Sequence, residues 1–445
     1  MEHLRAAVHR WNALPLYWRI LIAMALGIPA GLILGEQAAV MEIPSKVILQ
    51  LLGALAPPLI LIAVTHVLMT TVIQGKTLGK LAYLLILNTT VAILIGLGVA
   101  NTIEPGKWKK LEKAPAPEEK SDEKQRTSPV ELLVRNVPKS ILGPLGDRQN
   151  IIGVIIIAVA FGLALRGLKD KRLDTIEDLV QIAYDVLLKV LHWIIHLIPL
   201  GVFAIVTRVV GTEGFSPFVA LGAFVLSVLI ALAIQTVWYL VRIQLFCWAS
   251  PLHVLKGVRD ALVMAFSTDS STATMPVTYT CLKEQVGLRD ESASMGALVG
   301  ANFNNDGTAL YEAMAALFIA QLIGQDLSLG DQFIVVFTSI IASVGAAGIP
   351  EAGLVTMTLV FTAVGLPIEY IGILLTVDWF LDRCRTTINV LGDVNVSCML
   401  EGKERRRAQE TESPSAGKPA EDRPDQPHET QMQDSSDTRS GSSNS

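Results

Sequence analysis

The segment "LVGANFNNDGTALYEAM" (298–314) lies between strongly apolar runs and gathers Asn302, Asn304, Asn305, Asp306, Thr308 and Glu312 into one stretch. Glycines on either side of "NFNND" permit the helix to unwind there. Unwinding frees backbone carbonyls, and carbonyls with Asp and Asn side chains are hard oxygen ligands suited to Na⁺ rather than to a transition metal. A glycine-kinked helix whose polar side chains bond neighbouring helices is the alternative reading of this segment alone.

The rest of the chain supplies the setting. Its 445 residues are 51% hydrophobic and 17% charged, with a net charge of −5. That composition reads as a polytopic membrane protein. No broad basic surface points to nucleic acid. Cys247, Cys281, Cys384 and Cys398 lack metal-type spacing and read as small apolar packers. The N-terminal apolar stretch is too long for a signal peptide and is followed by more spans, so it counts as the first. Apolar runs place spans near 16–38, 45–74, 78–103, 132–166, 176–210 and 216–249. After residue 250, "STDSSTATMP" (267–276), "GANFNNDGT" (300–308) and "GAAGIPEAG" (345–353) interrupt the apolar pattern. Irregular backbone at membrane depth is tolerated only against protein or a watery cavity. The working part is therefore expected in this last third.

The bias of Lys and Arg puts both termini in the cytoplasm. It is satisfied when 253–288 enters and leaves from inside and 330–366 from outside. Two oppositely directed hairpins, each followed by a polar span, indicate inverted repeats. The insert 107–131 carries nearly balanced lysines and acids and reads as flexible and extracellular. The polar stretch 402–445 reads as a disordered cytoplasmic tail.

In "VDWFLDRCRTTINVLGD" (377–393), Asp378, Asp382, Arg385, Asn389 and Asp393 follow at spacings of 4, 3, 4 and 4. At about 100° per residue they form one stripe roughly 80° wide. Each charge facing lipid would cost on the order of 2.5–3.5 kcal/mol, so the stripe faces protein or a cavity. A structural ion-pair network would account for the charges but not for the interleaved Thr386 and Asn389. A charged ligand with ions accounts for both. The hydroxyl-rich 267–276 turn suits a carboxylate, and the small residues of 345–353 suit a lid.

In order along the chain, "SSTATMP", "NNDGTALYEA", "AAGIPEAGLVTM" and "DWFLDRCRTTINVLGD" resemble the dicarboxylate/amino acid:cation symporters, in particular the excitatory amino acid transporters and their prokaryotic homologues. The resemblance covers about 15–401. It implies an all-α fold of eight transmembrane helices and two re-entrant hairpins, a homotrimer in the plasma (inner) membrane, and an elevator-type mechanism. Residues 1–77 and 132–215 would form the scaffold. Residues 78–106 and 216–401 would form the transport domain. The substrate implied is L-glutamate or L-aspartate, driven by sodium, with H⁺ and K⁺ as further coupling ions. Arg385 would bind the side-chain carboxylate with Thr308, Asp382 the amino group, and Asn389 with Ser271 the α-carboxylate, with Thr386 lining the site. A forked guanidinium and a carboxylate one turn away match such a zwitterion. Sodium would sit at Asp393 with carbonyls of Gly300, Asn304 and Asn389. A second ion would sit at Asp306 and Asn304 with Thr89 and Thr90, and a third at carbonyls of Asn302, Ser343, Val344 and Ala346. Glu312 matches the family's proton carrier.

Several positions depart from the family pattern. Asn305 replaces a methionine, Ile86 a tyrosine, and Asp269 a Ser or Arg, which suggests that Asp269 pairs with Arg383 in at least one state. A dicarboxylate symporter is the nearest rival, but it would not need Asp382 for an amino group. A neutral amino acid exchanger would be expected to lose Arg385. A channel has no need of a lid or of the Asp382/Arg385 pair. An intramembrane aspartyl protease using Asp306 and Asp393 leaves Arg385 unexplained. The chain is accordingly expected to be a transporter and not an enzyme.

Overall fold

The computed structural model describes residues 14, 16–70, 78–108, 140, 143–146, 151–167, 174–345 and 352–403. Every regular element among these residues is helical. In chain order the main helices are α1 (Leu16–Leu34), α2 (Glu42–Thr70), α3 (Leu78–Ile103), α4 (Ile151–Gly167), α5 (Asp174–Ile195), α6 (Ile198–Glu213) and α7 (Ser216–Phe246). They continue as α8 (Pro251–Thr268), α9 (Ser271–Thr280), α10 (Asp306–Leu322), α11 (Leu329–Gly345), α12 (Ala352–Ala363) and α13 (Ile371–Glu401). Four helical stretches among the described residues are long and apolar enough to cross a membrane: Trp18–Pro44, Gly79–Trp108, Ile176–Thr212 and Pro217–Phe246. Large apolar side chains such as Leu26, Leu32, Leu226 and Val237 stand exposed on them, as on a lipid-facing surface.

The expected span 176–210 is not one helix. It breaks at His196–Leu197 into α5 and α6. Pro199, in the first turn of α6, has no N–H and would clash with the carbonyl of Ile195 in a continuous helix. Of the expected span 132–166, the described part is α4 with the short Gly143–Gly146 turn. The greater part of the insert 107–131 and of the tail 402–445 lies outside the described residues, as does the tip of the second hairpin at 346–351.

α1 packs along α6, and α2 along α4, α5 and α6. α3 and α7 pack on α10 and on α13. α10 is buried along its whole length, Asp306 to Leu322. Its run "TALYEAMAALFIAQ" is rich in alanine, which lets neighbouring helices approach from every side; a helix buried all round is a core helix. Phe224 of α7 stacks on Phe318 of α10 with ring centroids 4.5 Å apart.

The first helix pair turns at Asp269, which adopts φ 59° and caps α8. Ser270 caps α9, accepting from the backbone N–H of Ala273 at 3.1 Å. Thr268 and Thr274 bond back to the carbonyls of Met264 and Ser270 at 2.9 and 2.8 Å. Much of the hydroxyl content of 267–276 thus builds the turn itself.

The α1–α6 contact depends on a close approach. A Cβ on Gly31 would stand 2.6 Å from the carbonyl oxygen of Thr207, whereas one on Gly98 would meet nothing within 4 Å. Gly31→Val is expected to lose about 1–3 kcal/mol by overpacking. In detergent its thermal transition should fall by several degrees, while Gly98→Ala stays at or slightly above the wild-type value. Equal transitions for the two variants would contradict this packing.

Candidate functional site

Arg385 of α13 is fully buried. Its Nη1 donates to Oδ1 of Asp378 at 2.8 Å and its Nη2 to Oδ1 of Asp382 at 2.5 Å. The carboxylates lie seven and three residues earlier on the same helix, so the stripe read from the sequence is an ion cluster. The Tyr311 ring of α10 lies 4.0 Å from the guanidinium carbon, a cation–π distance. Among the described residues Nε of Arg385 has no hydrogen-bond partner. α12 closes on the same group. A Cβ on Gly353 would stand 3.3 Å from both Nη2 of Arg385 and Cγ2 of Thr308.

Beside this cluster the helix preceding α10 unwinds. Gly300–Phe303 ends at Asn304 (φ −102°, ψ 70°), and Asn305 (φ −98°, ψ 52°) precedes α10. Neither residue is helical, and their side chains bond across the break. Asn304 Nδ2 donates to Oδ1 of Asp393 at 3.2 Å and to the carbonyl of Asn389 at 3.5 Å. Asn305 Nδ2 donates to the carbonyl of Ser343 at 2.9 Å, tying α11 to the break. Asn389 Oδ1 accepts from the backbone N–H of Gly307 at 2.7 Å, and its Nδ2 donates to Oγ1 of Thr308 at 3.3 Å. Among the described residues the buried Asn304 Oδ1 has no partner, an orphaned oxygen beside Asp393. A Cβ on Gly300 would stand 2.5 Å from Oδ1 of Asp393, and one on Gly307 2.6 Å from the carbonyl oxygen of Arg385. Both glycines therefore allow backbone to approach α13 closely.

Asp306 is completely buried. Thr89 of α3 donates to its Oδ1 at 2.7 Å, and the hydroxyl of Tyr239 of α7 donates to its Oδ2. Glu312 is completely buried too; its Oε1 accepts from the hydroxyl of Thr356 of α12, and its Oε2 has no partner among the described residues.

Thr308, Asp382, Arg385 and Asn389 come together around the α10–α13 contact. Ser271 is 2% exposed and donates to the carbonyl of Ala301 at 3.0 Å. Thr386 donates to Oδ1 of Asp269 at 3.3 Å, on the tip of the first helix pair. Arg383 reaches the same tip through the carbonyls of Phe266 and Ser267, each at 2.8 Å. Thr90 is half-buried beside Thr89. Asn302 donates to the carbonyl of Leu298, four residues back, at 3.1 Å. Ser343 and Val344 lie in the last turn of α11, and Ala346 lies outside the described residues.

Sequence reasoning missed Asp378 as a direct partner of Arg385, Tyr311 beneath it and Thr356 on Glu312. It also missed Tyr239 and Arg242 on α7. An arginine within the apolar run "WYLVRIQLF" was the readable signal for that last group.

A family model described as the sodium:dicarboxylate symporter family matches residues 16–403. Excitatory amino acid transporter 4 of Rattus norvegicus is 39% identical over 277 residues, 61% of this chain and 49% of that protein. Excitatory amino acid transporter 3 of Homo sapiens is 39% identical over 255 residues, 57% of this chain and 48% of that protein. Excitatory amino acid transporter 1 of Mus musculus is 38% identical over 260 residues, 58% of this chain and 47% of that protein. The aligned regions span about half the length of these relatives. With four helical stretches among the described residues long and apolar enough to cross a membrane and a match along most of its length, the chain belongs to the sodium:dicarboxylate symporter family of membrane transporters.

Proposed function

We propose that this chain is a sodium-coupled symporter of acidic amino acids, L-glutamate or L-aspartate. The observation that carries the reading is the buried Arg385 holding Asp378 and Asp382 on one stripe beside Thr308 and Asn389. A substrate carboxylate replaces one of Arg385's own carboxylates on the guanidinium fork. Asp382, released from the arginine, pairs with the substrate ammonium. Asn389 and Ser271 serve the α-carboxylate, Thr308 supports the side-chain carboxylate, and Thr386 lines the site. The exchange re-pairs Arg385 and Asp382 with the substrate, and the remaining α-carboxylate charge is balanced by co-transported sodium, so the low-dielectric region holds no unmatched charge.

Sodium is co-substrate. One position is Asp393 with carbonyls of Gly300, Asn304 and Asn389, where the orphaned Asn304 oxygen supports the reading. A second comprises carbonyls of Asn302, Ser343, Val344 and Ala346. A third set, Asp306 with Asn304, Thr89 and Thr90, already has both carboxylate oxygens engaged by hydroxyls. Glu312 carries a proton across the membrane: burial favours a neutral carboxyl, and its contact to Thr356 links it to α12. Potassium is the return ion that the family resemblance raises.

The proposed architecture has eight transmembrane helices and two re-entrant hairpins, α8–α9 and α11–α12, assembled as a plasma (inner) membrane homotrimer with cytoplasmic termini. α3 and α7–α13 form the moving domain in an elevator mechanism, and the remaining helices form the scaffold. A C4-dicarboxylate symporter of the same fold is the alternative; it would leave Asp382 without an ammonium.

In liposomes with an inward sodium gradient, labelled L-glutamate or L-aspartate should accumulate, and excess unlabelled succinate should not compete. Arg385→Lys should lower that uptake about tenfold or more, because a single ammonium does not replace a fork. Succinate uptake instead would move the assignment to dicarboxylates, and no sodium-driven uptake would sink it. Glu312→Gln retains an acceptor for Thr356 but cannot carry a proton. Its uptake should no longer vary with pH in the range where wild-type uptake does; an unchanged pH profile would remove Glu312 from proton coupling.

A further inference from the structure

α7 carries an arginine at the heart of a polar clasp within the membrane-length run Pro217–Phe246. Arg242 is 6% exposed. A guanidinium buried there calls for a counter-charge. Among the described residues no carboxylate forms an ion pair with it. Its Nη1 donates instead to Oδ1 of Asn88, and the group lies 5.6 Å from the ring centroid of Trp238. Its hydrogen-bonded neighbours lead to one carboxylate, that of Asp306.

The connection between the two is built from neighbours on both helices. Asn88 and Thr89 are consecutive on α3; the first holds Arg242 and the second donates to Asp306 at 2.7 Å. Tyr239 and Arg242 are three apart on α7 and so share one face; Tyr239 donates to the other oxygen of Asp306. α13 closes a further side, since a Cβ on Gly392 would stand 2.9 Å from both Oδ2 of Asp306 and the hydroxyl of Tyr239. Asp306 therefore has a hydroxyl on each oxygen, backbone packed against it, and a fixed cation one helical turn along α7 from the tyrosine that bonds it. A sodium ion entering there would face the guanidinium without water to screen the repulsion.

We propose that Arg242 is a resident cation that balances Asp306 permanently, so that the Asp306 position carries no sodium ion. This rests on the symporter reading above and refines it. Of the three oxygen-rich positions, only those at Asp393 and beneath the second hairpin take part in coupling, so the cycle moves one sodium fewer than the three positions would hold. The arginine is a positioning residue that acts through charge and touches no substrate.

The test is the sodium-to-substrate ratio of the full chain in liposomes. It is read from the membrane potential at which net acidic amino acid flux vanishes under a series of sodium gradients at fixed pH. Wild type should give two. Arg242→Met uncovers the Asp306 charge and should raise the ratio by one. Arg242→Lys keeps the charge and should match wild type, an outcome that loss of packing alone would not produce. A wild-type ratio of three overturns the inference while leaving the symporter reading intact, and it decides the matter even if Arg242→Met fails to fold. An Arg242→Met ratio equal to wild type also overturns it. Absence of sodium-driven uptake would overturn the symporter reading and this inference together.

Discussion

A fully buried guanidinium inside a transporter is tolerable only if its charge and its donors are met nearby. Arg385 has its charge and both Nη groups met by carboxylates of its own helix, Asp378 and Asp382, while its Nε has no partner among the described residues. In a low-dielectric interior such a group is stable as a set and costly when broken; removing one partner of a buried pair costs about 3–5 kcal/mol. That asymmetry gives the cluster its use. A ligand bringing a carboxylate and an ammonium can enter with the charges conserved, whereas a ligand bringing only one of the two leaves a group unmatched. In the proposed pose a neutral amino acid, whose only carboxylate goes to Asn389 and Ser271, would draw Asp382 from Arg385 and return nothing, which favours substrates with a second carboxylate.

The break at Asn304–Asn305 is the second constraint, and it depends on the first. α10 begins where the Gly307 backbone N–H is taken by Asn389 of α13, one turn beyond Arg385. The unwound residues hand their amides to Asp393, to the Asn389 carbonyl and to the Ser343 carbonyl. The break, α11 and the Asn389–Asp393 turn of α13 are thereby joined by hydrogen bonds, and Arg385 lies one turn away on the same helix. In the proposed cycle, a ligand that shifts Arg385 acts on the same helix that carries Asn389 and Asp393. Coupling between substrate and ion needs such a shared element rather than mere proximity.

Much of the site was legible because period and chemistry coincide. The spacings through Asp378, Asp382, Arg385, Asn389 and Asp393 allow only one helical face, and α13 presents them together. The hydroxyl-rich run 267–276 marked the tip of the first hairpin, although its capping by Ser270 went unread, and glycines flanked the unwound Asn304–Asn305. What escaped were groups defined by tertiary contact. Tyr311 reads as one more aromatic in an apolar run until α13 places Arg385 on its ring. Asn88, Tyr239 and Arg242 sit in helices that averaged hydropathy marks as plain spans. The His196–Leu197 break was also missed because composition stays apolar across it, although Pro199 carried the signal.

In the proposed symporter, Arg385 exchanges one of its own carboxylates for the side-chain carboxylate of an acidic amino acid. A structure determined with L-aspartate and saturating sodium tests this directly. The exchange predicts a guanidinium nitrogen moved from Asp382 onto a ligand carboxylate, with Asp382 within hydrogen-bonding distance of the ligand's ammonium. A ligand bound elsewhere, with Arg385 still joined to both Asp378 and Asp382, would contradict it.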